Sequence, residues 1–285
     1  MGAIISIVNE KGGVGKTTCT YNLAVAMARK GLRVLMIDLD YQCSLTVCCG
    51  YKPDIPDFIR YEVENGKRVP IRHNVINFFT DDENDLVKKS FFTIDSIEDY
   101  CRKHPDEPDI SEKIYLVPGS IEMAEMENKM FFDHTIRQKF LENVNSLRPK
   151  FHYILIDCAP HLNLPMTTAL IGSQGVVVPV KPEGLDYYGL IGLNNTIDTV
   201  REAMNPNLVV VGTILNLYRS NVKTHNEYLE KLKSDEERPL LGTVKESTLV
   251  TRGFDEGLPV VLTSKQSQPA KAFNEIAETI IRTDI

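Results

Sequence analysis

The chain contains no tryptophan and no Cys-x-x-Cys pair. Its 6 cysteines, Cys19, Cys43, Cys48, Cys49, Cys101 and Cys158, stand in no zinc-like spacing with one another or with histidine. That argues against structural zinc and against a disulfide scaffold. Reduced thiols of a cytosolic protein are the remaining reading, and nothing else supports redox chemistry at the adjacent Cys48 and Cys49. Basic charge is also in deficit: 32 Lys and Arg face 39 Asp and Glu, a net charge of −7. No general polycationic grip on nucleic acid or anionic lipid is therefore expected, and any such contact needs a local basic patch. No apolar stretch approaches the ~20 residues of a membrane span. The apolar run Ala3–Val8 is too short for a signal peptide and leads straight into a glycine-rich turn. A soluble, cytoplasmic chain without membrane attachment is expected.

What is present has ordinary globular composition, 42% hydrophobic and 25% charged over 285 residues, enough for a sizeable core. AIISIV, Ala3–Val8, is a continuous apolar run that suits a strand buried on both faces of a parallel sheet. A glycine loop follows, then a helical pattern over Thr17–Lys30 closed by Gly31, then a second buried strand, RVLMIDLD, Arg33–Asp40. This βαβ start predicts an α/β, doubly wound, mostly parallel sheet. Further strands are expected at Ile114–Val117, Tyr153–Ile156, Gly175–Val180, Leu208–Leu215 and Pro259–Leu262. Helices are expected at Met123–Leu147, Gly189–Met204, Asn226–Lys233 and Lys271–Ile281. No linker or repeat divides the chain, so residues 1–285 read as one domain. Tyr51–Lys113 stands apart, with ten basic against fifteen acidic residues. Its many apolar residues argue against disorder, and it reads as helical decoration on the sheet, with the acidic run Asp81–Asp85 as a solvated loop.

NEKGGVGKTTCTYN, Asn9–Asn22, carries the chemistry. The P-loop pattern Gly-x-x-x-x-Gly-Lys-[Ser/Thr] fails only at its first glycine, where Glu10 stands. Its working parts survive. Gly12, Gly13 and Gly15 allow a tight turn with inward N–H groups, Lys16 reaches phosphates, Thr17 offers a hydroxyl to Mg²⁺, and a helix N-terminus adds its dipole. Two further segments place carboxylates at strand ends, where ligand crevices form in such sheets. These are Asp38 and Asp40 in VLMIDLDYQCSLT, and Asp157 in FHYILIDCAPHLN. Asp157 reads as a Walker B carboxylate that binds Mg²⁺ through water. Either Asp38 or Asp40 could instead cap the following turn.

KGGVGKTT, Lys11–Thr18, carries the deviant Walker A motif in full. On it the chain resembles the ParA/MinD family of P-loop ATPases, in particular the Soj-like ParA partition branch. The likeness extends over nearly the whole chain outside Tyr51–Lys113. IDLDYQ resembles the family's DxDxQ segment with Tyr41 in place of proline, and DCAPHL resembles its γ-phosphate-sensing DCPPSL, with Ala159 and His161 as departures. The resemblance implies ATP and Mg²⁺ as cofactors, slow ATP hydrolysis, a homodimer in the ATP state and a ParB-like partner that stimulates hydrolysis. It implies nucleotide contacts from Lys11, Gly12, Gly13, Val14, Gly15, Lys16, Thr17 and Thr18, and metal contacts from Thr17, Asp38 and Asp157. Lys11, Lys16 and Asp40 take the catalytic roles. Lys11 crosses to the partner subunit's nucleotide, and Asp40 orients or activates the attacking water.

VVGTILNLYRSN resembles the family strand whose end contacts the base. The Asn216 amide could pair with both a donor and an acceptor on adenine, or could stabilise a turn. His161 reads as an exposed switch-loop residue. The family's DNA-contacting arginine falls at Leu249, so sequence-independent DNA binding would rest on Arg219, Lys245 and Arg252. The C-terminal helix is acidic and lacks the basic amphipathic character of a membrane anchor. Plasmid or chromosome partitioning is the leading expectation. The alternatives are a positioning ATPase for a non-DNA cargo and a non-hydrolysing nucleotide-binding regulator.

Overall fold

The computed structural model describes residues 1–52, 59–64, 67–80, 90–183 and 186–285. The elements run β1 (Ala3–Ile7), α1 (Lys16–Ala28), β2 (Val34–Asp38), α2 (Ser44–Cys48), β3 (Ile59–Glu64), β4 (Lys67–Arg72), α3 (Asn77–Thr80), α4 (Asp95–Lys103) and β5 (Ile114–Val117). Then come α5 (Met123–Phe132), α6 (His134–Leu147), β6 (Tyr153–Asp157), α7 (Leu164–Gly172), β7 (Gly175–Val180), α8 (Asp186–Ala203) and β8 (Val209–Tyr218). The chain closes with α9 (Lys223–Lys233), β9 (Leu240–Lys245), α10 (Thr248–Phe254), α11 (Val260–Thr263) and α12 (Gln268–Arg282).

Seven strands form one sheet in the order β5-β2-β6-β1-β7-β8-β9. Every neighbouring pair in it is parallel. The alternation of side chains along each strand feeds two cores. Ile4 and Val8 of the first strand region, with Leu35, Ile37, Ile154 and Ile156, enter one. Ile5, Ile7, Val34, Met36 and Leu155 enter the other, where α1 and α12 pack. Strands buried on both faces explain why the sequence runs apolar without alternation. β2 lies two places to one side of β1, and β7 lies next to it on the other. The loop after β1 therefore opens at the point where the winding reverses, over the carboxyl ends of the strands.

Three expectations are corrected by the structure. Pro259–Leu262 is not a strand: Val260–Thr263 is a helical turn, with Val260, Val261 and Leu262 all buried. A short apolar run does not distinguish a buried strand from a buried turn. The sheet edge is instead β9, Leu240–Lys245, in which only Val244 is fully buried. The helix expected over Met123–Leu147 is broken at Asp133, whose extended backbone and carboxylate cap α6 through Thr135 N at 2.8 Å. Finally, Tyr51–Lys113 is not purely helical decoration, because β3 and β4 form an antiparallel hairpin. The run Asp81–Asp85 lies outside the described residues. Among those described, no helix is long and apolar enough to cross a membrane.

Candidate nucleotide site

Asn9 anchors the loop that follows β1. Its Nδ2 donates to Pro179 O at the end of β7 (2.8 Å), and its Oδ1 accepts from Lys11 N (3.0 Å). Gly13 and Gly15 take left-handed backbone at φ 73° and 90°, which side-chain-bearing residues reach only at a cost. Around Gly12 and Gly13 there is open space among the described residues: a β-carbon on either would have none of their atoms within 4 Å beyond its chain neighbours. α1 begins at Lys16 with no side-chain cap and no acidic residue in its first turn. Its leading N–H groups are thus left for an anion.

Lys16 is buried and folded back over this loop. Its Nζ donates to Asn9 O at 3.1 Å and to Lys11 O at 2.9 Å. Burial lowers its pKa from the usual lysine range, while the Asp157, Cys158 and Asp40 charges raise it. Lys11 is half-buried, and its charge is felt by Glu183, which is held low chiefly by Lys181. The two lysines flanking one glycine turn therefore occupy different places, one inside the loop and one at its edge.

The carboxylates line up beside them. Asp38 and Asp157 are register partners on β2 and β6. Asp157 accepts from Thr17 Oγ1 at 2.7 Å and from Thr20 Oγ1 at 3.3 Å. Burial pushes its pKa up to about 8, with the neighbouring Asp38 adding to the rise. Burial likewise pushes Asp38 up to about 7, against hydrogen bonds from Thr46 that lower it. A bound cation would relieve both carboxyls. Asp38, however, is already engaged by the protein: its Oδ2 accepts from Thr46 N (2.8 Å) and Thr46 Oγ1 (2.7 Å), and its Oδ1 from Asp40 N (3.3 Å). It ties the end of β2 to α2. Asp40 is 6% exposed, and its Oδ1 accepts from Gln42 N at 2.9 Å. No cluster of three or more His, Cys, Asp or Glu suited to a metal occurs among the described residues. The donor set is thus one hydroxyl and few carboxylates, which suits Mg²⁺ that keeps waters and takes phosphate oxygens as ligands.

Among the described residues, three non-glycine residues have positive φ, namely Cys43 at 54°, His161 at 149° and Leu217 at 54°. Cys43 and His161 lie in the segments after β2 and β6, and Leu217 is the penultimate residue of β8; such outliers cluster at functional sites. His161 is exposed at its turn. All six cysteines are free thiols.

Asn216 lies at the β8 end, 4% exposed, with Nδ2 donating to Val14 O at 2.9 Å. One of the two N–H groups of its amide is therefore committed to the loop. Arg219 and Lys245 sit on adjacent strand ends, and Arg252 sits on α10. Arg219 donates from Nε to Glu246, and Arg252 lines a cleft with Asp99 and Glu256. The three cations do not form a uniformly basic surface. Sequence reasoning missed Asn9, Thr20 and Thr46. Asn9 and Thr20 stand inside the glycine-rich segment itself, whereas Thr46 gives no local signal.

A family model described as an AAA domain matches residues 2–210. An uncharacterised protein of Methanocaldococcus jannaschii is 31% identical, with 98% of each chain covered. A chromosome partitioning protein ParA of Myxococcus xanthus is 26% identical, over 100% of this chain and 89% of that one. The structure of the septum site-determining protein MinD of Pyrococcus horikoshii, complexed with Mg-ADP, superposes with a TM-score of 0.70 at 25% identity, covering 99% of this chain and 97% of that one. This chain belongs to the ParA/MinD family of P-loop ATPases. As a ParA/MinD-family member it carries its glycine loop, with a lysine on either side of the turn, beside the register-paired aspartates at the ends of β2 and β6.

Proposed function

We propose that this chain is an ATP-dependent dimerising switch that partitions plasmid or chromosomal DNA, with slow Mg²⁺-dependent hydrolysis stimulated by a ParB-like partner. The observation that carries this reading is the division of labour between the lysines. Lys16 is folded into its own loop, while Lys11 is half-buried on the other side of the exposed Gly12–Gly13 turn, where a second subunit's nucleotide could meet it. Two nucleotides face to face repel, and a lysine from each side offsets that charge. Residues Gly12–Thr18 would hold the phosphates, and Thr17 and Asp157 would hold Mg²⁺ with its waters. When bound, Mg²⁺ supplies neutralisation of charge on the phosphate oxygens. Lys16 stabilises the developing charge with a donor already in place. Asp40 positions the attacking water, and Asp38 keeps Asp40 and α2 in register. Residues 1–285 act as one ATPase unit with the 51–113 segment as an insertion.

Lys11 provides the test specific to this reading. Lys11→Ala is expected to bind one Mg-ATP per chain with parental affinity but to dimerise at least about thirtyfold more weakly. Unchanged dimerisation in sedimentation would return Lys11 to a surface cation.

The pairing of Arg219 with Glu246 favours a second reading, a positioning ATPase whose scaffold is not DNA. A low-salt DNA shift assay with the ATP dimer separates the two. Partitioning predicts weak, sequence-independent retardation that falls steeply with salt and disappears in Arg219→Ala/Arg252→Ala. A dimer that leaves DNA unshifted favours the second reading.

A further inference from the structure

The contact between Asn216 and the glycine loop joins the end of β8 to the loop after β1, between residues 202 apart in sequence. Three features meet there. Nδ2 of Asn216 donates to Val14 O in a buried bond of 2.9 Å. A β-carbon placed on Gly15 would lie 2.0 Å from that same nitrogen. The next residue, Leu217, is held in left-handed backbone at φ 54°, an arrangement that persists only where the surroundings fix it. The Asn216 side chain thus fills the space that a side chain at position 15 would need, and it does so while gripping the peptide just before it.

A trans peptide points its C=O and its N–H in opposite directions. Holding Val14 O toward β8 therefore turns the Gly15 N–H away from β8, into the loop. That N–H has no partner among the described residues. Gly15 is also the residue that opens α1, and its own carbonyl accepts from Cys19 N at 2.9 Å. Fixing one peptide plane sets the direction of the loop's donors and the start of the helix together.

We propose that Asn216 is a positioning residue for the phosphate loop: it locks the Val14–Gly15 peptide in the orientation that presents Gly15 N–H to a phosphate. Its effect on nucleotide affinity then reaches the phosphates through the loop rather than the base. This rests on the reading of the loop as a nucleotide phosphate site. It also gives Gly15 a second requirement beside its backbone angle, since Asn216 and any side chain at 15 exclude each other.

Calorimetric titration of the parent and of Asn216→Ala with Mg-ATP, Mg-GTP and inorganic tripolyphosphate tests the proposal, with thermal unfolding confirming that each variant folds. Asn216→Ala removes one neutral bond and leaves a buried carbonyl unpaired, so all three ligands should weaken by about the same factor, roughly tenfold. The ratio of ATP to GTP affinity should not change. Gly15→Ala should be worse in the parent, and adding Asn216→Ala to it should cost nothing further, because the clash is gone; independent roles would multiply the two losses. Undiminished tripolyphosphate affinity in Asn216→Ala, with loss of discrimination between ATP and GTP, would overturn the proposal in favour of a base contact. Multiplied losses in the double variant would also overturn it. A parent that binds none of the three ligands would instead overturn the nucleotide-site reading and take this proposal with it.

Discussion

Lys16→Ala is expected to weaken Mg-ATP binding by one to two decades. The side chain is 7% exposed and already makes two hydrogen bonds to loop carbonyls, at 2.9 and 3.1 Å. A cation held this way meets a phosphate without further ordering of its long side chain. Removing it deletes a charge-assisted contact worth roughly 1.5–3 kcal/mol, and each 1.4 kcal/mol is about tenfold in affinity. It also leaves Asn9 O and Lys11 O without their donor, which loosens the loop that Asn9 anchors. Calorimetric titration with Mg-ATP measures the effect. A variant that binds as tightly as the parent would remove the phosphate role from this loop.

Asp40→Ala is expected to act on the other side of the reaction, keeping Mg-ATP affinity and losing hydrolysis by roughly 10²–10⁴-fold. The Asp40 backbone is fixed through Asp38 Oδ1, and its Oδ1 accepts from Gln42 N. Its Oδ2 has no hydrogen-bond partner among the described residues, which leaves that oxygen for a water. The alanine removes this acceptor without touching the bonds of Lys16 or Thr17. Phosphate release under saturating Mg-ATP reads the loss. Parental turnover would show that Asp40 merely caps its turn.

The sequence showed most where both faces of an element are buried. Ile114–Val117 and Gly175–Val180 coincide with their strands because continuous apolar runs suit the middle of a parallel sheet. β9 escaped notice because its residues are only partly buried apart from Val244 and the exposed Lys245, which blurs both periodicities. The break at Asp133 was written locally, as an aspartate followed two residues on by Thr135, but the apolar pattern runs across it. Within the site, the glycine loop after β1 and the placing of Asp157 at the end of β6 and of Asp40 just past the end of β2 were legible from the local motifs. The engagement of Asp38 by Thr46, and that of Asn216 by Val14, were not. Both are contacts whose partners are chosen by how strands are stacked beside one another, and nothing in the local spacing announces them.

Sedimentation velocity of Asp40→Ala with Mg-ATP and with Mg-ADP tests the central claim most directly, because hydrolysis cannot erode the ATP state during the run. A dimer with ATP and a monomer with ADP is the predicted result. The same sedimentation coefficient with both nucleotides, at concentrations where both are bound, would contradict an ATP-dependent dimerising switch.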